Sequence, residues 1–213
     1  MYLAIEGAIG VGKTTLARLL RPVFNAQLLL EVFEENPFLA DFYTDRERYA
    51  FQTQIFFLLS RYHQQRAVSG LLSSGDGLIA DYTFEKDALF AGINLKGDEF
   101  DTYYQVHRAL AEKIPLPDLI IYLRASTDVL MQRIAYRDRP YERDMDRAYI
   151  HDVNNAYEEF FGEHHEGAPV LVIDTNELNY IAREEDLHWV EDRIRQAMRL
   201  PPFQAELPLD GSD

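Results

Sequence analysis

Cysteine is absent from the 213 residues, which removes any disulfide framework and any thiolate metal site and fits an intracellular, cytoplasmic location. Long apolar runs are also missing. The hydrophobic stretches are short, and none approaches the roughly 18 to 20 residues that a membrane span needs. The opening MYLAIEGAIG has no basic segment and no cleavage site, so no signal peptide is expected. Basic charge is scarce: 21 Lys and Arg stand against 36 Asp and Glu, a net charge of -15. That balance argues against a nucleic-acid polymer or an anionic membrane as partner. An acidic chain that handled nucleotides would have to concentrate its positive charge locally.

The chain does have 47% hydrophobic residues, a normal share for a globular protein. Five short runs rich in Ile, Leu and Val, at 2–7, 27–32, 77–81, 118–125 and 169–174, read as strands. Helical patterns separate them: 13–20, a long stretch over 46–72, TFEKDALFA (83–91), 100–113, a helix opening at Thr127 under a Ser126 cap, its resumption near Arg147, and 184–199. Strands buried on both faces and alternating with helices predict an α/β protein with a five-stranded parallel sheet flanked by helices. One domain over about 1–200 is expected, with residues 201–213 as a loose tail. Ligands of such sheets bind beyond the carboxyl ends of the strands.

GAIGVGKT, from Gly7 to Thr14, matches G-x-x-x-x-G-K-[ST] with a strand before it and a helix after it. Gly7, Gly10 and Gly12 let the backbone curl so that successive N–H groups, including those of Ala8, Ile9, Val11 and Thr15 around them, face an anion. Lys13 is placed to reach the β- and γ-phosphates of a nucleoside triphosphate, and the Thr14 hydroxyl to ligate Mg²⁺. Asp81 ends the third strand on the same sheet edge, where a carboxylate can hold that ion through water; its alternative is a helix cap. No N-K-x-D segment follows to read a base as a G-protein does.

The local positive charge lies in RIAYRDRPYERDMDR, which holds Arg133, Arg137, Arg139, Arg143 and Arg147. Arginine forks suit phosphate oxygens, and the break at Pro140 suggests an arginine-rich lid over about 136–147. The alternative is a solvated face that pairs with Asp138, Glu142, Asp144 and Asp146. In RYAFQTQIFFLLSRY, Phe51, Ile55, Leu58 and Tyr62 form an apolar helical stripe that carries Gln54. A buried amide must find partners, and its donor–acceptor pair can read the edge of a nucleobase or bond a neighbouring backbone. Phe33, Tyr43 and Phe90 offer aromatic surface for a base. LLLEVFEENPF places Glu31, Glu34 and Glu35 within five residues; Glu31 follows a strand ending beside the phosphate loop, and the other two read as solvated. EHHE (163–166) reads as exposed loop rather than a metal site.

GAIGVGKT, the strand ending in Glu31, FLADFY, YAFQTQIFF, DYTFEKDALFA and RDRPYERDMDRAYI stand in an order that resembles the deoxyribonucleoside kinase family, and within it the bacterial deoxyadenosine/deoxyguanosine kinase branch. The resemblance covers about residues 2–175. It implies the P-loop kinase fold, usually a homodimer or a heterodimer with a related kinase subunit, and ATP-dependent phosphorylation of a deoxyribonucleoside at its 5′-hydroxyl. By position it implies Glu31 as general base, Gln54 as the base-reading amide, Tyr43 with Glu142 at the sugar 3′-hydroxyl, Arg137 and Arg139 as lid arginines, and Phe90 as the aromatic beside the base. The sequence departs from the family at Asp81-Tyr82-Thr83, where an acid–Arg–Ser/Thr triplet is usual. Tyr82 supplies no cation, so another residue must hold the catalytic carboxylate. Two other readings stay open: a nucleoside monophosphate kinase of thymidylate kinase type, and a nucleotide-binding subunit that turns over slowly.

Overall fold

The computed structural model describes residues 1–162 and 167–202; the EHHE run and nearly all of the expected tail lie outside the described residues. The strands are β1 (Tyr2–Glu6), β2 (Ala26–Leu29), β3 (Gly77–Ala80), β4 (Leu119–Arg124) and β5 (Val170–Asp174). They form one parallel sheet in the order β2-β3-β1-β4-β5. β1 is central and buried at every position, which is why its sequence is continuously apolar up to Glu6 rather than alternating. The helices are α1 (Lys13–Val23), α2 (Leu39–Thr44), α3 (Arg46–Gln65), α4 (Val68–Ser73), α5 (Lys86–Asn94), α6 (Gly97–Ala111), α7 (Thr127–Arg137), α8 (Arg147–Phe161) and α9 (Glu184–Ala197).

Three local features differ from the sequence reading. The long helix expected over 46–72 is two helices, because α3 ends at Gln65 and the chain restarts at Val68. Strands β2 and β3 stop short, so Glu31 and Asp81 lie just beyond their carboxyl ends. The buried face of α3 is rotated from the expected apolar stripe: Ala50, Thr53, Gln54, Leu58, Arg61 and Gln65 are buried, whereas Phe51, Ile55 and Tyr62 are only partly covered. The inward face of this helix is therefore strongly polar, which a folded protein tolerates where those groups meet partners or a ligand.

At the centre of the sheet the wholly buried Glu6 accepts hydrogen bonds from Thr83 N (2.5 Å), Thr83 Oγ1 (2.9 Å), Tyr157 Oη (3.1 Å) and Gly7 N (3.3 Å). These bonds satisfy the carboxylate without a cation and tie the exit of β1 to the residues after β3. The carboxyl edge of the sheet, where β1, β2 and β3 release their chains, is fixed before any ligand arrives.

Candidate active site

The phosphate loop leaves β1 through Gly7 (φ 142°) and enters α1 through Gly12 (φ 107°), both in the region that side chains disfavour. A Cβ at Gly7 would collide with the Leu123 carbonyl of β4, and one at Gly12 with the Tyr180 hydroxyl. Ala8 and Val11 turn their side chains into the core. They offer the loop only their backbone. Ile9, Gly10, Lys13 and Thr14 line a cleft above the sheet edge, and Thr15 is half-buried in the first turn of α1. Lys13 Nζ donates to the carbonyls of Gly7 (2.6 Å) and Ala8 (3.2 Å), curled back over its own loop. Burial pushes its ammonium down to about 8, and the nearby Lys86 charge adds to that.

Asp81 joins the loop to the candidate base. Its Oδ2 accepts from Thr14 Oγ1 at 2.5 Å and its Oδ1 from Glu31 N at 2.8 Å. Glu31 is then clamped on both carboxyl oxygens. Arg61 Nε donates to Oε1 at 2.9 Å, Arg61 Nη2 makes a second, short bond to the same oxygen, and Lys86 Nζ donates to Oε2 at 2.7 Å. Burial would raise the Glu31 carboxyl; the Arg61 and Lys86 charges overcome it and hold the group well below the usual carboxylate range. Arg61 also pairs through Nη1 with the wholly buried Asp87, whose Oδ2 has no hydrogen-bond partner. Burial pushes Asp87 up to about 6 although Arg61 opposes the shift. One guanidinium is shared by two carboxylates, and Glu31 takes two of its three nitrogens.

The cation missing at Tyr82 is therefore supplied from elsewhere. Tyr82 is fully buried among Tyr2, Leu29 and Val68, and its hydroxyl donates to Gln64 Oε1 at 2.9 Å. Gln64 Nε2 in turn holds the Leu30 carbonyl at 3.0 Å, so this tyrosine braces the backbone beside Glu31. Sequence reasoning missed Arg61, Lys86 and Asp87. A signal existed for Arg61, which follows Gln54 by seven residues and so lies two turns along the same face of α3. Glu34 and Glu35, in contrast, are exposed on a 3₁₀ turn (Phe33–Glu35).

Gln54 is 2% exposed, and its Oε1 has no hydrogen-bond partner. Asn36, buried in the loop after Glu31, donates to the Thr53 carbonyl at 3.2 Å and so fixes this part of α3. Gln54 lines the cleft together with Thr53, Phe57 and Phe90. The opposite wall is the arginine segment, where α7 ends at Arg137 and a 3₁₀ turn (Pro140–Glu142) precedes α8. Here the five arginines part ways. Arg137 Nε and Nη2 donate to Glu142 Oε2 at 2.9 and 2.6 Å, and Arg139 lies 3.6 Å from Glu142 Oε1 and 4.0 Å over the Phe33 ring. Arg143 pairs with Asp138 and Arg147 with Asp128 on the surface. Arg133 is structural: it donates to the Val11 carbonyl at 3.1 Å and to the Thr175 carbonyl at 2.6 Å, bracing the phosphate loop against the end of β5. Tyr43 stacks on Tyr141 with centroids 6.2 Å apart, and burial, with the Glu142 charge among its neighbours, raises its hydroxyl well above the ordinary range. Glu142, implied by resemblance to hold a sugar hydroxyl, is here the common partner of Arg137 and Arg139.

A parallel sheet with a phosphate loop at its central strand, a clamped carboxylate beside that loop and facing arginines defines a P-loop phosphotransferase. The model of the deoxynucleoside kinase family matches residues 3–199. The chain is 33% identical over 199 residues to a deoxyguanosine kinase of Bacillus subtilis (strain 168), covering 92% of this chain and 96% of that one. It is 36% identical over 181 residues to a deoxyadenosine kinase of Dictyostelium discoideum, covering 83% and 73%. A solved structure of deoxyadenosine kinase from M. mycoides with bound dATP superposes with a TM-score of 0.80 at 26% identity, covering 92% of this chain and 99% of that one. The chain belongs to the deoxynucleoside kinase family, and its activity is phosphorylation of a deoxyribonucleoside at the 5′-hydroxyl. Among the described residues no helix is long and apolar enough to cross a membrane.

Proposed function

We propose that the acceptor is a purine deoxyribonucleoside, deoxyadenosine or deoxyguanosine, that the donor is ATP with Mg²⁺, and that Glu31 is the general base. The observation that carries this reading is a continuous chain of groups along one cleft. It runs from Thr14 through Asp81 to Glu31, through Glu31 to Arg61, and two turns (about 10 Å) along α3 to the unpartnered Gln54 carbonyl oxygen. One end suits a triphosphate and the other the edge of a base. The two relatives named above, a deoxyguanosine and a deoxyadenosine kinase, support the purine assignment.

Thr14 and Asp81 are hard oxygen donors already in contact, and they fit a magnesium ion that takes one or two protein oxygens and fills its remaining sites with phosphate and water. When bound, that ion would neutralise charge on the phosphates. Glu31 orients the 5′-hydroxyl and takes its proton, which is all a loose phosphoryl transfer asks of a protein base. Arg137 and Arg139 are close enough to the cleft to exchange Glu142 for phosphate oxygens as the segment closes. Phosphate arriving beside the half-buried Lys13 restores its full positive charge.

Purified protein with Mg²⁺ and ATP, tested against a panel of deoxy- and ribonucleosides and thymidylate, checks the assignment. Fastest turnover is expected on deoxyadenosine or deoxyguanosine; preference for thymidylate would overturn it. Gln54→Ala is expected to raise KM for the preferred nucleoside roughly 5- to 100-fold, the scale of one lost buried hydrogen bond, and to narrow the ratio of kcat/KM between bases. Unchanged KM and specificity would remove Gln54 as the reader. Assembly as a homodimer, or as a heterodimer with a related kinase subunit, is proposed from the family membership, and sedimentation velocity tests it. The cytoplasmic location is likewise proposed, in keeping with the absence of cysteine.

A further inference from the structure

Lys86 occupies a costly position. It is the first residue of α5, at the helix end that repels a cation, and only 5% exposed, so its ammonium is largely desolvated. Against these costs it makes the 2.7 Å charge-assisted bond to Glu31 Oε2. The bonds on Glu31 are unevenly divided. A carboxylate oxygen has about two lone-pair sites. Oε1 receives two nitrogens of Arg61, which fills it, whereas Oε2 receives Lys86 alone. One acceptor site therefore stays open on Oε2.

We propose that Oε2 of Glu31 is the oxygen that receives the 5′-hydroxyl proton, and that Lys86 is the positioning residue that aims it. This rests on Glu31 being the base. Arg61 cannot take over the task, because its third nitrogen is bound to Asp87 and the guanidinium is fixed by both carboxylates. Tyr82 has no charge to offer, and its hydroxyl is engaged by Gln64. Lys86 also stands over the Phe90 ring, 5.6 Å from its centroid, and lines the same cleft as Lys13 and Thr14, which places it beside the path of the acceptor hydroxyl.

The test compares Lys86→Met, Lys86→Arg, Glu31→Gln and the double variant Glu31→Gln/Lys86→Met, by steady-state kinetics with ATP and the preferred deoxynucleoside. Lys86→Met is expected to lower kcat about 100-fold, the cost of a misaimed group, with nucleoside KM changed less than about threefold. Lys86→Arg is expected to recover about tenfold of that loss. The double variant should be no slower than Glu31→Gln alone, because a residue that acts through Glu31 has nothing left to position. If Lys86→Met does not fold, Lys86→Arg decides the matter: a kcat lowered about tenfold with nucleoside KM changed less than about threefold supports the role, and a kcat equal to wild type overturns it. A kcat for Lys86→Met near wild type with a crippled Glu31→Gln would overturn the role of Lys86 alone. Losses that multiply in the double variant would overturn it too. Near-normal turnover in Glu31→Gln would instead remove the base, and this assignment with it.

Discussion

Glu31→Gln is expected to lower kcat by about 10² to 10⁴, the usual contribution of a positioned base, while the deoxynucleoside still binds with near-normal affinity. The two halves of this expectation come from different parts of the cleft. In the proposed reading, binding draws on Gln54 and the aromatic residues of the cleft, which the substitution leaves untouched. Turnover draws on the carboxylate, which the amide cannot replace as a proton acceptor. The measurements are steady-state kcat and calorimetric titration with nucleoside; turnover within a few-fold of wild type would remove Glu31 as the base.

The same variant has a stability signature. The folded-state carboxyl of Glu31 is held below its unfolded value, so it stabilises the fold above about pH 4.5, and that contribution is lost as pH falls. Glu31→Gln should therefore melt below wild type at neutral pH, and the gap should shrink on acidification. Glu31, as the proposed base and the partner of two buried cations, would lose both roles in one substitution. The comparison across pH separates them, because the turnover loss reflects the missing proton acceptor and does not shrink with the stability gap.

The fold was legible because its cues are local and redundant: five apolar runs, a glycine loop that needs positive φ, and a proline break in the arginine segment. Gln54 was legible because an amide among aromatics must find a partner. Arg61 was not. In FFLLSRYHQQ an arginine beside serine, tyrosine and histidine reads as solvent-facing, and its burial is caused by Glu31 and Asp87, 30 and 26 residues away in the chain. Lys86 was hidden for the same reason, since Glu85-Lys86-Asp87 has the pattern of a charged surface turn. The apolar stripe assigned to α3 was offset because partial covering of Phe51 and Ile55 and full burial of Thr53 and Arg61 are both set by the cleft, not by the helix. The role of Tyr82 depends on its hydroxyl reaching Gln64, which makes the tyrosine in the Asp81-Tyr82-Thr83 triplet a brace for the backbone beside the proposed base.

Arg61→Met should be the most damaging substitution for stability, at about 3–5 kcal/mol, the range for breaking a buried ion pair from one side. The side chain is 4% exposed, Asp87 beside it is wholly buried, and the Asp87 Oδ2 already has no partner. Methionine fills similar volume, so the cost arises from charge rather than from a cavity. Lysine should rescue poorly, because three nitrogens in one plane serve Glu31 and Asp87 together and a point charge cannot reproduce that fork. The pH dependence distinguishes this account from simple misfolding. Asp87 has a folded-state value raised to about 6 by burial, with Arg61 opposing the rise; removing Arg61 lifts it further. A carboxylate raised above its unfolded value stabilises the fold at low pH and loses that contribution as pH rises through the folded value. The stability gap between wild type and Arg61→Met should therefore be widest near pH 7.5 and narrower near pH 5.5, by up to about 1.4 kcal/mol for each unit that Asp87 rises. Urea denaturation of both proteins at the two pH values measures it. A gap that stays constant would mean that Asp87 takes up no proton when its partner leaves, and that the guanidinium acts by packing alone.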